Sequence, residues 1–198
     1  MKLTNKLRLP EPIFQALQPE NRYREGAFSV TQLINSPRIT QLTVRHWDEL
    51  EQDVSDRIWL LLGLGVHAHL EKMGVGDSEK LLEARIENWA ITGHPDLYQD
   101  GVLSDYKVTS AWSIVYGVRP SWEAQLNMYA YLCQANGVDA WSLQIVAFLR
   151  DWNYSRMKES ASYPRTNVVV LPKDSNVVWA IVILLPLLQV KILLDSYL

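Results

Sequence analysis

The chain has 198 residues, 48% of them hydrophobic, with a formal net charge of −3, the size and composition of one domain able to bury a substantial core. Its single cysteine, Cys133, excludes an internal disulfide, a multi-cysteine zinc site and a four-thiolate iron–sulphur cluster, so any metal must be held by histidine, carboxylates or carbonyls. A strongly basic global field is also excluded, and a nucleic-acid partner would depend on local groups drawn from Arg22, Arg24, Arg38, Arg45, Arg119, Arg150, Arg156, Lys158 and Arg165.

The opening residues, MKLTNKLRLPEPIF, lack the apolar run and cleavage site of a signal peptide, so an intracellular, cytoplasmic setting is the expectation. Residues up to about 54 read as a helical segment. Ser29-Val30-Thr31-Gln32 has the form of a capping box opening a short helix that stops before Pro37, and a second short helix is expected from Arg38 to Trp47. From Ser55 to Met73 the apolar residues Ile58, Leu61, Leu62, Val66 and Leu70 recur near helical spacing, with Ser55 as N-cap and Gly74 as stop. The period then changes. Leu81 to Val108 alternates or runs apolar in short blocks broken at Thr92-Gly93 and Gln99-Asp100-Gly101, as in a meander of strands. Pro120 to Ala135 reads as a helix with proline in its first turn and Asn136-Gly137 beyond its end. Trp141–Leu149 and Asn167–Leu171 look like further strands. The last segment, Ser175 to Val190, carries no charge and is interrupted by Pro186. It is too short for a membrane span of about 20 apolar residues and reads as an apolar C-terminal helix over about 175–198, either buried or packed against another subunit. No membrane association is expected. The order of elements suits an α/β fold in which a central mixed β-sheet is flanked by helices.

Within the meander, Gly93-His94-Pro95-Asp96 is followed by Asp105-Tyr106-Lys107. Phosphodiester hydrolysis needs charge neutralisation at the phosphoryl group, a hydroxide near neutral pH and a stabilised leaving oxygen, which Mg²⁺ or Mn²⁺ supplies when held by a few oxygen ligands. Strand alternation places Asp105 and Lys107 on one face and turns Tyr106 away, leaving its backbone carbonyl as a ligand candidate. Taken alone, an Asp-x-Lys pair is equally a same-face ion pair on an exposed strand, and His67 alone is equally a core histidine satisfied by a carbonyl.

In ordered combination these pieces resemble the PD-(D/E)xK nuclease superfamily, in particular its RecB-type and lambda-type exonuclease branch with the CRISPR-associated exonucleases. The quartet is Gly63-Leu64-Gly65-Val66-His67, Gly93-His94-Pro95-Asp96, Asp105-Tyr106-Lys107 and Gln125-Leu126-Asn127-Met128-Tyr129, and the likeness runs from about Phe28 to Leu149. The resemblance implies one nuclease domain over 1–198 with a restriction-endonuclease-like core. It implies a catalytic group of Asp96, Asp105, Lys107, Gln125 and Tyr129, and metal ligation by His67, Asp96, Asp105 and the Tyr106 carbonyl, with Glu83 as a further candidate. Lys107 would position or activate the attacking water. Glu71, one turn after His67, is either an orienting acid or a solvated one, and His69 and His94 are off register. Trp47, Trp112, Trp122 and Trp152 are either core residues or platforms for nucleobases. Without the cysteine quartet of the cluster-bearing type, the expectation is a compact DNA exonuclease of phage or bacterial recombination, repair or end processing, acting on DNA with Mg²⁺ or Mn²⁺. The alternatives are a structure-selective or nicking endonuclease on the same core, or a non-cleaving DNA-binding protein. A homo-oligomer formed through the apolar C-terminal helix is a further expectation.

Overall fold

A computed structural model describes residues 1–21, 23–78 and 80–174. Arg22 and the apolar C-terminal segment 175–198, with the oligomer contact expected of it, lie outside the described residues.

The N-terminal part is not purely helical. Strand β1 (Lys2–Thr4) and helix α1 (Glu11–Ala16) come first, followed by β2 (Ala27–Ser29), α2 (Val30–Ile34), α3 (Pro37–Arg45) and β3 (Glu51–Asp53). The capping box at α2 forms in full: the Ser29 hydroxyl accepts from the Gln32 amide, and the Gln32 side chain accepts from the Ser29 amide. β1 pairs in parallel with β3. At the end of β3, Asp53 gathers hydrogen bonds from the Ser55 hydroxyl and amide, the Lys6 amide and the Thr4 hydroxyl. These bonds, that of the Ser55 hydroxyl first, hold its carboxyl well below the usual carboxylate range. Asp53, rather than Ser55, therefore caps the short 3₁₀ turn at Val54–Arg57, and helix α4 (Ile58–Glu71) starts beyond it. Gly74, with φ +63°, follows its end, as a helix stop requires.

The meander is real, but it is divided between two sheets. β4 (Leu82–Ile86) and β5 (Trp89–Gly93) form an antiparallel hairpin that turns at Glu87-Asn88, and β2 joins it in parallel to give the order β2-β5-β4. The break expected at Thr92-Gly93 is instead the end of β5. There the buried Pro95, which has no N–H to donate to a ladder, marks the passage to the second sheet. That sheet has the order β6-β7-β8-β9, from β6 (Leu97–Gln99), β7 (Val102–Thr109), β8 (Ser142–Leu149) and β9 (Val168–Asp174). β7 and β8 are parallel, and β6 and β9 run antiparallel to their neighbours, so the sheet is mixed. Asp100 and Gly101, with φ of +48° and +78°, make the β6–β7 turn in the left-handed pair of conformations that a two-residue hairpin loop favours.

Short helix α5 (Trp112–Val115) follows β7, and α6 (Pro120–Ala135) and α7 (Tyr154–Glu159) complete the described elements. α6 has the limits its proline and Asn-Gly signals predict. It lies at the centre of the molecule: Trp122, Leu126, Met128, Tyr129, Leu132 and Cys133 are buried against Phe28 and Leu33 of the N-terminal part and Leu82, Ile91, Leu103, Leu143 and Ile145 of the sheets. Burial pushes the Cys133 thiol up to about 11, consistent with a structural cysteine. α4 contrasts with α6, because Trp59, Leu60, Leu62 and Leu64 are all exposed. None of the described helices is long and apolar enough to cross a membrane.

Candidate active site

The site is built on an unpaired stretch of β7. β6 pairs only with Val102, Leu103 and Ser104, whereas β8 pairs along the full length of β7. The β6-side edge of β7 is therefore open from Asp105 onward. Asp96 lies on the bend just before β6 rather than on a strand, and its Oδ2 accepts from the Tyr106 amide at 2.6 Å. The carboxylate thus continues the ladder where the strand has stopped. In a β-strand the N–H and C=O of one residue point to the same side, so the Tyr106 carbonyl also faces this edge. The other Asp96 oxygen is 3.2 Å from His67 Nδ1 on α4.

Alternation separates the two faces. Tyr106 turns its ring toward α4, edge-on to His67 at 6.1 Å between centroids, while Asp105 and Lys107 project toward α6. The Lys107 ammonium donates to Asp105 Oδ1 at 2.9 Å and to Gln125 Oε1 at 3.0 Å, and Gln125 Nε2 donates to the Tyr129 hydroxyl at 3.0 Å. Gln125 and Tyr129 are one turn apart on the same side of α6. Because the Lys107 ammonium can only donate, it fixes the amide with its oxygen toward the strand, and the tyrosine hydroxyl accepts from the amide nitrogen. The four side chains form a relay from the helix core to the strand.

Asp105 is 1% exposed. Burial pushes its carboxyl up to about 6; Lys107 opposes the shift, the charge of Asp96 adds to it, and His67 opposes it least. Burial and then the Asp96 charge raise the Tyr106 hydroxyl as well. Lys107 Nζ lies 2.9 Å from Asp105 Oδ1 and 2.7 Å from Oδ2, so one ammonium serves both oxygens, and its hydrogen bond goes to Oδ1 while Oδ2 has an ionic contact alone. A buried carboxylate oxygen keeps lone pairs beyond that contact, which an oxygen-seeking cation would use. The surrounding donors are two carboxylates, one imidazole and one carbonyl, and these suit a hard divalent ion. They adjoin one another without converging: among the described residues no three His, Cys, Asp or Glu side chains stand close enough together to hold an ion. An ion entering here would compete with Lys107 for Asp105 and with His67 for Asp96.

The structure therefore brings together His67, Asp96, Asp105, Tyr106, Lys107, Gln125 and Tyr129. It does not bring Glu83 to them. That residue sits on β4, at the edge of the other sheet, with its carboxylate 3.2 Å from Arg85 Nε. Glu71, His69 and His94 are exposed. Of the tryptophans, Trp122 is buried in the core, and Trp152 is half-buried with its indole N–H on the Pro164 carbonyl at 2.8 Å. Trp47 is also half-buried, while Trp112 reaches the surface.

Gly93 sets the distance between α6 and β5. A Cβ there would fall 2.7 Å from Tyr129 Cε1 and 2.8 Å from Leu132 Cδ1, so Gly93→Ala must displace the ring that orients Gln125. Overpacking of this kind costs roughly 1–3 kcal/mol, and we expect a thermal melt to show a drop of roughly 2–4 °C per kcal/mol. An alanine variant melting with the wild type would mean that α6 and β5 are not in this contact.

No protein-family model matches the chain, and comparison with curated proteins finds no sequence relative. Solved structures share its architecture, among them two described by name. A protein designated SSO0001 superposes with a TM-score of 0.61 at 18% identity, over 93% of this chain and 82% of the other. An alkaline exonuclease, LHK-Exo from Laribacter hongkongensis, superposes with a TM-score of 0.54 at 12% identity, over 95% of this chain and 94% of the other. At these identities the likeness is one of fold: mixed sheets flanked by helices around a restriction-endonuclease-like core.

Proposed function

We propose that this chain is a divalent-metal-dependent deoxyribonuclease, an exonuclease of the PD-(D/E)xK superfamily acting in DNA recombination, repair or end processing in a bacterial or phage-infected cytoplasm. The observation that carries the reading is the meeting of Asp96, Asp105 and Lys107 at the open edge of β7. The fold shared with a protein described as an alkaline exonuclease supports it.

Asp96, Asp105 and the Tyr106 carbonyl would hold Mg²⁺ or Mn²⁺, with His67 as a further ligand. The ion would supply Lewis acidity toward the phosphoryl group and hydroxide at neutral pH. The chain's own residues do the rest. Lys107 places a positive charge beside the carboxylates, where it attracts the phosphate, orients the attacking water and offsets charge developing on the phosphoryl oxygens. Gln125 holds the ammonium at the strand and Tyr129 holds Gln125, so the cation is positioned before substrate arrives. His67 keeps Asp96 turned toward the edge.

Incubating end-labelled linear DNA and covalently closed circular DNA with Mg²⁺, Mn²⁺ or a chelator tests the reading. The expected result is cation-dependent loss of the linear substrate, with circles intact. Nicked or linearised circles would assign an endonuclease on the same core, and inertness toward every substrate with every cation would leave a DNA-binding protein that does not cleave.

A further inference from the structure

Beyond the acid–lysine group, the described surface carries an unusual concentration of exposed aromatic rings capped by cations. It lies at the far ends of β7 and β8. The Arg150 amide donates to the Thr109 carbonyl at 2.9 Å, and Asp151 accepts from the Ser110 hydroxyl and the Ala111 amide, each at 2.6 Å. The segment before α7 is thereby fastened to the start of α5. Trp112 of α5 packs edge-on against the buried Tyr163, stacks on Tyr116 at 5.6 Å with the rings 21° apart, and receives the Arg156 guanidinium at 5.5 Å. Tyr116 is 81% exposed, so most of its ring remains open. On the opposite face of α7 from Arg156, Lys158 lies 4.5 Å from the ring of the exposed Tyr154. Arg150 lies 4.7 Å from the ring of Trp59 at the start of α4.

Rings with water on one side and cations on the other are poor core material and good stacking surfaces. The charge agrees: residues 148–166 carry Arg150, Arg156, Lys158 and Arg165 against only Asp151 and Glu159, in a chain that is acidic overall. Among these, Asp151 is already engaged with α5. Both elements that leave this ledge lead to the acid–lysine group. α4 runs from Trp59 to His67, eight residues or roughly 12 Å at the helical rise, and β7 runs from Thr109 back to Tyr106, roughly 10 Å at the strand rise. That span is about three nucleotides at the rise of one DNA strand, roughly 3.4 Å each.

We infer that this ledge is a single-stranded DNA subsite: unpaired bases stack on the open face of Tyr116, which Trp112 backs, while Arg150 and Arg156 take the backbone, leaving the strand's end about three nucleotides away at Asp96 and Asp105. The inference rests on the nuclease reading for its substrate, and it adds that the strand enters unpaired. A duplex keeps its bases stacked on one another and offers the rings only its end, whereas a single strand offers a base face at each step.

The test measures binding, so it does not depend on cleavage. A fluorescein-labelled twenty-nucleotide oligo-dT is titrated with the full chain in chelator, alongside a labelled duplex of the same length. Tyr116→Ala is expected to weaken oligo-dT binding about tenfold, Tyr116→Trp to preserve it, and the duplex to be affected less than twofold. Arg156→Gln is expected to flatten the salt dependence of oligo-dT binding by roughly 0.7 in log–log slope, as loss of one phosphate contact to a single strand requires. Trp141→Ala, at the opposite end of β8 and also exposed, serves as the control and is expected to leave the affinity unchanged. Because Tyr116 is so exposed, its removal leaves folding intact, and Arg150→Gln provides a second surface variant expected to weaken binding in the same direction. Unchanged oligo-dT affinity in both Tyr116→Ala and Arg150→Gln, or an equal loss for the duplex, overturns the ledge while leaving the cleavage result standing. Loss of cleavage in every assay with oligo-dT binding still sensitive to Tyr116 would sink the nuclease reading and keep the ledge.

Discussion

Lys107→Ala is expected to slow DNA cleavage by roughly a thousandfold, the size of effect seen when a positioned charge or proton-transfer group is removed from a hydrolytic site. Two consequences of the geometry combine. The variant loses the ammonium that the proposed reaction would set beside the scissile phosphate, and it also leaves Asp105 buried without its cation. Lys107 opposes the upward shift of that carboxyl through both its charge and its hydrogen bond, so without it the Asp105 carboxyl moves above about 6 and a larger share is protonated near neutrality. Lys107→Arg should not rescue the rate. The ammonium sits between one Asp105 oxygen at 2.9 Å and the Gln125 oxygen at 3.0 Å, a place for a compact point charge, and a planar guanidinium has different reach and geometry. Tyr129→Phe keeps the packing but frees the Gln125 amide, and a milder loss of about tenfold is expected. Initial rates on end-labelled linear DNA measure all three. Equal rates for Lys107→Ala and wild type, with circular dichroism showing both folded, would remove Lys107 from the chemistry.

Much of this arrangement was readable before any coordinates. The capping box at Ser29 and the proline and Asn-Gly signals around α6 are local, and they fix those helices where expected. Strand alternation correctly placed Asp105 and Lys107 on one face. What local pattern could not convey is which strand pairs with which. A period of two says that Leu81–Val108 is extended, but the same alternation is compatible with one sheet or two, and the division after Gly93 is decided by where α6 packs. For the same reason alternation does not reveal that Asp96 stands on a bend, where its carboxylate replaces a ladder partner for Tyr106. Strands β1, β2 and β3 are three residues each, too short to show a period. Glu83, a candidate through the family resemblance, lies on a different sheet, paired with Arg85. The cationic aromatic ledge was only partly visible. Trp112 and the basic residues stood out by type, whereas Trp59, Tyr116 and Tyr154 joined them through packing between α4, α5 and α7 that no spacing rule encodes.

Asp105→Asn is expected to raise stability and remove the response to metal in the same molecule. In the folded chain the carboxyl is pushed up to about 6 from its ordinary value of 3.8. The folded chain therefore holds its proton more tightly than the unfolded chain, and stability falls as pH rises from about 4 to about 6. Above that range the ionised, buried Asp105 costs about 3 kcal/mol, the shift multiplied by 1.36 kcal/mol per unit. An asparagine of the same shape carries no such charge. Without metal, the variant should melt several degrees above the wild type at pH 7–8, and the gap should close toward pH 4. Adding Mn²⁺ should then reverse the order, because a cation that binds only the folded wild type stabilises it by about 4.1 kcal/mol at a thousand times its dissociation constant, more than the cost of the buried charge. The stabilisation by metal should fade as pH drops through about 6, where protons compete for Asp105. Thermal melts of both proteins across pH 4–8, with Mn²⁺ and with chelator, read out the whole scheme. A wild type that melts at the same temperature with and without Mn²⁺ at pH 8, and above Asp105→Asn in chelator, would show that the buried carboxylate is a structural partner of Lys107 rather than a ligand held ready. The raised carboxyl favours the opposite result, since a second cation at Asp105 would offset the cost of burying its charge.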